Sequence, residues 1–525
     1  MTLVRRVYLY VVTAAGLLAI AAGVTNLGEA LVLAITAGGE RLLLAGVRSR
    51  VALGGAAALV GLPVWLLHWT WIRRALRETP DERAAVLRRL YLYGVLAVTA
   101  AVAWISLAGA LDGSLRLAVA GSAASSPTRA LLPVPLLLVA AGLWWYHRRA
   151  VLLDRAAAGE TGAGATLRRW YRYGLSFVSL LTLLVGASLL VRLLWHLVLA
   201  PDGGSPLSNG ALGVAAQSAS ILAALAIWLL HWSGWSIVTS RGRPDLEAAD
   251  AASTLRPVYL FLALAFSVVV TLVGTWQIVY YALGRALGEA TPGGVGGDLW
   301  LALSGPASLV LAYGASWAFH RRALEQQALV QEELPRQAGV RRLYQYLLCL
   351  VSLAVLAAGT GGLLWTLADL VTGAPQASAT PGWWRDRISL FASIALVGLP
   401  VWLLHWRGAT AARPAIGEVR SLARRLYVYA ALLAGVLALL ASGVAAVKQV
   451  LDLALGEAAT AGAVTNLARA LSVAAVAAFV VAYHQLVLRR DSRVEAQQVP
   501  QAPEAHQARP VPIRAFPDAS ARAGA

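Results

Sequence analysis

Six histidines stand at matching places along this 525-residue chain, and they are the side chains best suited to chemistry. Each lies at the end of an apolar stretch, and five of the six follow a tryptophan by three residues, which places both rings on one helix face. Imidazoles at one depth on neighbouring helices could ligate haem or copper, or relay protons. The six are His68, His147, His231, His320, His405 and His484.

A structural interpretation competes with this chemistry. Tryptophan, histidine and arginine side chains often anchor helices at a membrane surface. An arginine directly after His147 and His320 disfavours a bound cation, and no closed set of metal ligands is evident. We therefore expect interface anchors first, contacts with a proton or a polar substrate second, and a metal or haem site third. No catalytic, metal or cofactor-binding residue is assigned, and no cofactor is expected.

Charged residues near the other end of the apolar stretches are the second group of candidates. Most lie 21 residues after a repeated tyrosine, so the helical rise places them roughly 31 Å away, at the opposite membrane surface. Amphipathic helix ends among the lipid head groups are the simpler interpretation, and a vestibule that binds a polar or ionic ligand is the alternative. The candidates are Glu29, Asp112, Arg192, Lys448 and Asp452.

A sixfold repeat must position these side chains. Each copy begins with two basic residues, any residue, Tyr, any residue and an aromatic residue; the fourth copy is degenerate, with Arg256-Pro257 at its start. An apolar stretch follows, and a second one ends on the histidine. The first tyrosines are separated by 83, 80, 88, 85 and 83 residues, which indicates internal duplication. They are Tyr8, Tyr91, Tyr171, Tyr259, Tyr344 and Tyr427.

The composition is typical of a membrane protein, with 59% hydrophobic residues, 13% charged residues and a mean hydropathy of +0.66. We predict an all-α polytopic membrane bundle of 12 transmembrane helices, built from six tandem parallel helical hairpins in a pseudo-threefold or pseudo-sixfold arrangement. Alternating hairpin endings group them as three four-helix modules at 1–160, 161–332 and 333–490. A disordered cytoplasmic tail is predicted at 491–525.

The net charge of +18 is distributed unevenly. The side with the histidines and both termini carries 33 of the 44 Lys and Arg residues, so the positive-inside rule places it in the cytoplasm. Topology and anionic lipid head groups explain this charge without nucleic acid, which we exclude as a partner. The expected partners are the lipid bilayer and other membrane proteins, and the oligomeric state is left open.

The familiar catalytic motifs are missing from the sequence. It contains no phosphate-binding Gly-x-x-x-x-Gly-Lys-Ser/Thr loop, no His-Glu-x-x-His, no Cys-x-x-Cys and no Gly-x-Ser-x-Gly. The single cysteine, Cys349, lies inside an apolar stretch. We therefore expect a protein that is not an enzyme.

The repeated Arg-Arg-x-Tyr-x-Tyr start and the Trp-bearing helix that ends in His resemble an uncharacterised prokaryotic membrane family, domain of unknown function 5671. The resemblance covers three tandem copies over roughly residues 1–490 and departs at Arg256-Pro257 and at Val481, which replaces the sixth Trp. It implies an architecture and a bacterial or archaeal cytoplasmic membrane, and it transfers no activity and no site residue.

Three functions remain in order of preference. The first is a non-enzymatic membrane scaffold, sensor or partner subunit, favoured by the scarcity of ionisable residues at mid-membrane depth. The second is a channel or transporter for a small polar or ionic solute, which requires a polar pathway between modules. The third is a haem-binding membrane redox protein.

Overall fold

The computed structural model describes residues 2–36, 41–121, 125–199, 210–232, 249–289, 298–330, 333–374, 381–410, 416–455 and 461–497. These residues form helices and no strand. The twelve long helices are α1 Leu3–Thr36, α2 Arg41–Glu78, α3 Val86–Ala120, α4 Val134–Ala158, α5 Gly162–Leu199, α6 Gly210–His231, α7 Leu255–Ala286, α8 Leu299–Val330, α9 Pro335–Thr372, α10 Trp383–Thr410, α11 Leu422–Ala454 and α12 Ala461–Gln497.

Twelve segments are long and apolar enough to cross a membrane, so the prediction of an all-α protein with twelve spanning helices is confirmed. The fourth segment is interrupted, because a short helix Pro127–Leu131 precedes α4 and Pro133 stands at the start of α4. Proline removes a backbone donor and sterically disfavours the preceding turn of a helix. Pro63, Pro306 and Pro400 instead lie inside continuous helices.

Successive helices pack as six antiparallel hairpins, α1/α2 through α11/α12, numbered 1 to 6 below. Two glycines fifteen positions after a first tyrosine make very close approaches. A Cβ atom on Gly23 would lie 2.7 Å from the Ala58 nitrogen, and one on Gly359 would lie 2.6 Å from the Ala395 nitrogen. Backbones approach this closely only where side chains are missing, so these glycines hold the two arms of a hairpin together.

The hairpins contact one another in a regular order. The first helix of each hairpin packs against the second helix of the next one, in the pairs α1/α4, α3/α6, α5/α8, α7/α10 and α9/α12. Within the described ranges, hairpins 1 and 6 make no extensive contact. Neighbouring hairpins therefore share one contact pattern, and the described residues form an open row instead of the predicted pseudo-threefold or pseudo-sixfold bundle.

The C-terminal helix is longer than the sequence suggested. The predicted tail at 491–525 was expected to begin at residue 491, but α12 continues to Gln497. Asp491 binds Arg424 and Glu495 binds Arg425, so ion pairs with hairpin 6's first helix hold the extension in place. The rest of the predicted tail, 498–525, lies outside the described residues.

Candidate functional site

All six repeated histidines form the same bond to their own helix. In each one, Nδ1 lies 2.7 to 2.9 Å from the carbonyl oxygen four residues earlier. A carbonyl oxygen can only accept, so Nδ1 carries the proton and Nε2 is left as an acceptor. Five histidines are buried, and His405 is half-buried.

The Nε2 atoms face the first tyrosine of the same hairpin. Tyrosine hydroxyls lie 2.9 to 3.3 Å from Nε2 in five hairpins and donate to it. In hairpin 5 the two rings meet edge to face, with 6.3 Å between their centroids. The five bonded pairs are Tyr8–His68, Tyr91–His147, Tyr171–His231, Tyr259–His320 and Tyr427–His484.

In hairpins 2, 3 and 5, the tryptophan three residues before the histidine reaches a different hairpin. Its Nε1 donates to the first tyrosine of the following hairpin, and the three such bonds measure 2.8 to 3.0 Å: Trp144 to Tyr171, Trp228 to Tyr259, and Trp402 to Tyr427. The tyrosine hydroxyl thus accepts a hydrogen bond from the tryptophan of the preceding hairpin and donates one to the histidine of its own hairpin. Hairpin 6 is the last in the described residues, and it carries Val481 at this position.

The second aromatic residue of each repeat start completes the contact between hairpins. At all five boundaries its ring lies 5.1 to 5.9 Å, centroid to centroid, from the first tyrosine of the next hairpin. Aromatic pairs at such distances add packing energy beyond their buried area. We call the repeated tryptophans, tyrosines and histidines, together with these second aromatics, the aromatic array.

The aromatic array leaves little capacity for external chemistry. In the five bonded hairpins, Nδ1 of the imidazole donates to a backbone carbonyl and Nε2 accepts from a tyrosine hydroxyl. A metal ion could bind the ring only by displacing one of these hydrogen bonds. Among the described residues, no three His, Cys, Asp or Glu side chains converge as a metal site. Five of the six histidines are buried among these internal partners, whereas their position relative to a membrane surface stays a prediction.

Three carboxylates in the connections between hairpins were missed by the sequence analysis. Glu82, Asp250 and Glu418 each lie nine residues before the first tyrosine of hairpins 2, 4 and 6. Each binds an arginine at the start of the preceding hairpin: Arg6 at 2.6 Å, Arg169 at 3.0 Å and Arg342 at 2.7 Å. The constant spacing was a signal that could have revealed them.

The electrostatics of the two most enclosed carboxylates follow from these arginines. The hydrogen bond from Arg6 holds the pKa of Glu82 below its usual range, against the effect of burial. Burial alone would raise the pKa of Asp250, but the bonds and charge of Arg168, helped by Arg169 and Arg172, outweigh it and lower that pKa. Both carboxylates are therefore charged at neutral pH. Their ion pairs hold the connecting segments against the start of the preceding hairpin.

The candidates at the opposite end of the helices are mostly paired. Two ion pairs form at i,i+4 spacing, with Arg116 2.6 Å from Asp112 and Lys448 2.5 Å from Asp452. Asp112 also binds Arg129. Two further candidates differ in their surroundings: Glu29 binds Arg50, and Arg192 is exposed.

This end also contains a buried carboxylate outside the predicted set. Asp369 is 1% exposed and binds Arg387 at 2.8 Å and Arg469 at 2.5 Å. Arg387 belongs to the same hairpin and Arg469 to the next, so Asp369 joins hairpins 5 and 6. The charges at this end are spread over separate pairs and do not gather into one ligand site.

Two large grooves lie between neighbouring hairpins. One of about 870 Å³ lies between hairpins 5 and 6 and is lined by residues such as Leu350, Phe391, Ala434 and Val476, with Arg387 among the few polar ones. A groove of about 540 Å³ lies between hairpins 1 and 2, with a similarly apolar lining. Apolar walls of this kind suit hydrocarbon chains better than hydrated ions.

A known family model matches most of this chain. The family model Domain of unknown function (DUF5671) matches residues 6–134, 169–315 and 342–483, and each match begins at the second arginine of an odd-numbered repeat start. The chain belongs to this family. The expected three tandem copies of DUF5671 are confirmed, and the chain is an integral membrane protein built from them. No curated protein and no solved structure matches the chain.

Proposed function

We propose that this DUF5671 protein is a non-enzymatic scaffold or partner subunit of the membrane. One observation carries the proposal: the polar atoms of the aromatic array bond to one another across hairpin boundaries. Where its donors and acceptors are paired, as from Trp228 through Tyr259 to His320, such a network rigidifies a fold. Such a network suits a protein that presents a fixed row of helices to other membrane proteins.

The grooves support this proposal over transport. A pathway for a polar solute needs polar groups along its length, because an ion loses its hydration in an apolar passage. The groove between hairpins 1 and 2 has mainly apolar walls, and so has the large groove between hairpins 5 and 6 apart from Asp386 and Arg387. The polar lining of a smaller groove between hairpins 5 and 6, with Lys448, Asn466 and Arg469, lies at the end of the helices opposite the histidines. Lipid chains would fill the two large grooves and complete the packing of the row.

We further propose a bacterial or archaeal cytoplasmic membrane as the location, with both termini in the cytoplasm. The end that carries the arginines and the aromatic array would then face the cytoplasmic leaflet, in line with the positive-inside rule. A cysteine-accessibility assay with a single cysteine introduced at Arg77 tests this orientation. Labelling by an impermeant reagent in intact cells would contradict it.

A flux experiment tests the scaffold proposal against transport. The purified full-length protein is reconstituted in vesicles loaded with a fluorescent reporter of potassium, proton or chloride movement. We expect the same leak rate from vesicles with the wild type and from vesicles without protein. A faster, saturable flux that His231→Gln reduces would overturn the proposal and favour the channel or transporter.

Light absorption tests the haem alternative independently. The Nε2 atom of His231 is bound by Tyr171 and is not free to ligate iron. Protein purified from haem-supplemented cells is expected to show no Soret band. A stoichiometric Soret band that is lost in His231→Gln would establish a haem protein instead.

A further inference from the structure

One arginine occupies the same place in all three tandem copies. It lies three residues before the first tyrosine of the even-numbered hairpins, and its guanidinium carbon stands over a tryptophan of the preceding hairpin. The distances to the ring centroid are 5.9, 5.9 and 5.5 Å. The three pairs are Arg88 over Trp69, Arg256 over Trp232, and Arg424 over Trp406.

In the first and third copies an aspartate neutralises this arginine. Arg88 donates through Nε to Asp154 at 2.6 Å, and Arg424 donates through Nε to Asp491 at 2.7 Å. Both aspartates lie seven residues after the repeated histidine. Both arginines are almost fully buried, at 3% and 4% side-chain exposure, so the paired charge is what makes their burial tolerable.

In the middle copy the aspartate is replaced. Seven residues after His320 the chain has Gln327. The Nε atom of Arg256, the one that binds aspartate in the other copies, is buried without a hydrogen-bond partner, and so is Oε1 of Gln327. Arg256 forms no ion pair with any residue that the structure describes.

No neighbouring carboxylate of the described chain compensates the charge. Asp250, in the connection that leads to Arg256, already binds Arg168, Arg169 and Arg172. Around Asp250 and Arg256, the described residues thus hold more guanidinium groups than carboxylates. A partly buried cation in this position favours an anion from outside the chain.

We propose that Arg256 is an anion site for a phosphate group, supplied by the head group of an anionic phospholipid. Arg256 lies in the first turn of α7, where a membrane helix begins and lipid phosphates are at the same level. The backbone amides at a helix start add to the attraction. The side chain is partly exposed, so a head group can reach the guanidinium.

Three variants with the same change in net charge test the site. Gln327→Asp rebuilds the aspartate of the other copies, Arg256→Gln removes the guanidinium, and Arg341→Gln alters an exposed arginine paired with Glu333 at the same end. Each full-length protein is placed in phosphatidylcholine nanodiscs with increasing phosphatidylglycerol. The thermal unfolding midpoint is recorded as a function of phosphatidylglycerol content, and inorganic phosphate is titrated in parallel into pure phosphatidylcholine discs.

The expected result distinguishes binding at Arg256 from the general attraction of anionic lipids to a basic protein. Phosphatidylglycerol should stabilise the wild type and Arg341→Gln at similar concentrations, whereas Gln327→Asp and Arg256→Gln should need about tenfold more, as for the loss of one charge-assisted contact. If inorganic phosphate reproduces the effect and Gln327→Asp removes it, the phosphate site stands with a soluble anion as its source. Equal responses of the wild type, Gln327→Asp and Arg256→Gln would overturn the proposal.

Discussion

The indole of Trp228 donates to the hydroxyl of Tyr259 at 3.0 Å, across the boundary between hairpins 3 and 4. Tyr259 in turn donates to Nε2 of His320 at 3.1 Å, and Nδ1 of His320 donates to the Ser316 carbonyl at 2.9 Å. Both side chains of the first pair are buried. The repeated histidines could have bound a metal or relayed protons. In this geometry they instead take part in a hydrogen-bonded connection between neighbouring hairpins.

Removing the indole donor should weaken that boundary. Trp228→Phe keeps most of the buried ring but leaves the Tyr259 hydroxyl with one bond fewer, so we expect a loss of about 1 kcal/mol in unfolding free energy. Trp65→Phe is the matched control, because the equivalent Nε1 in hairpin 1 has no hydrogen-bond partner. Reversible unfolding in lipid nanodiscs measures both, and equal losses would mean that the hydrogen bond contributes nothing.

A second prediction concerns the histidines. His484→Leu removes Nε2, the acceptor 3.0 Å from the Tyr427 hydroxyl, while the bond that this hydroxyl accepts from Trp402 remains. The buried O–H is then left without an acceptor, which should cost about 1–3 kcal/mol. His405→Leu should cost clearly less, because His405 meets Tyr344 only by ring contact and is half-buried. A greater loss in His405→Leu would argue against hydrogen bonding as the role of these residues.

The glycine contacts give a third prediction. Gly359→Ala should destabilise hairpin 5 by about 1–3 kcal/mol, because the added methyl group would meet the α10 backbone at 2.6 Å and overpack the contact. Gly361→Ala, on the same helix, has no atom within 4 Å of the added carbon and should be neutral or slightly stabilising. Thermal unfolding midpoints compare the two, and matching values would contradict the close packing.

Asp250 predicts a loss of stability in acid. Its lowered pKa means that it stabilises the folded state above the pKa it has when unfolded, about 3.9, and that this contribution disappears as pH falls through the lower folded value. Stability of the wild type should therefore decline below about pH 4. Asp250→Asn should be less stable at neutral pH and show a flatter decline in acid.

An exposed pair provides the control for that experiment. Arg74 and Glu78 bind at 2.9 Å, but their side chains are 80% and 62% exposed, and such pairs contribute less than about 1 kcal/mol. Glu78→Gln should keep the wild-type acid profile. If Asp250→Asn and Glu78→Gln behave alike, the arginine cluster around Asp250 is not a stabilising element.

The helices were predictable from the sequence because hydropathy and repeat spacing act locally. Pairs such as Asp112 and Arg116 are likewise local, because the two residues lie one helical turn apart. The link from Trp228 to Tyr259 was not predictable, since a repeat shows which residues are equivalent but not which neighbouring copy a side chain reaches. The open row could not be predicted for the same reason. Equivalent repeats in a sequence do not determine whether the last hairpin contacts the first.

The three carboxylates in the connections between hairpins were also hard to predict from the sequence, for a different reason. Glu82, Asp250 and Glu418 share a spacing to the next tyrosine, yet their flanking residues differ and a motif search passes over them. Their role depends on how the chain folds back over the arginines of the preceding hairpin. Only the three-dimensional arrangement shows that each one closes a hairpin.

An electron cryo-microscopy map of the full-length protein in lipid nanodiscs tests the central claim most directly. The account predicts that the hydroxyls of Tyr171 and Tyr259 contact Nε2 of His231 and His320 with no density between them, and that lipid chains occupy the grooves between hairpins. A metal, haem or other ligand on the histidine nitrogens, or a continuous file of water from the histidines to the opposite end, would contradict it.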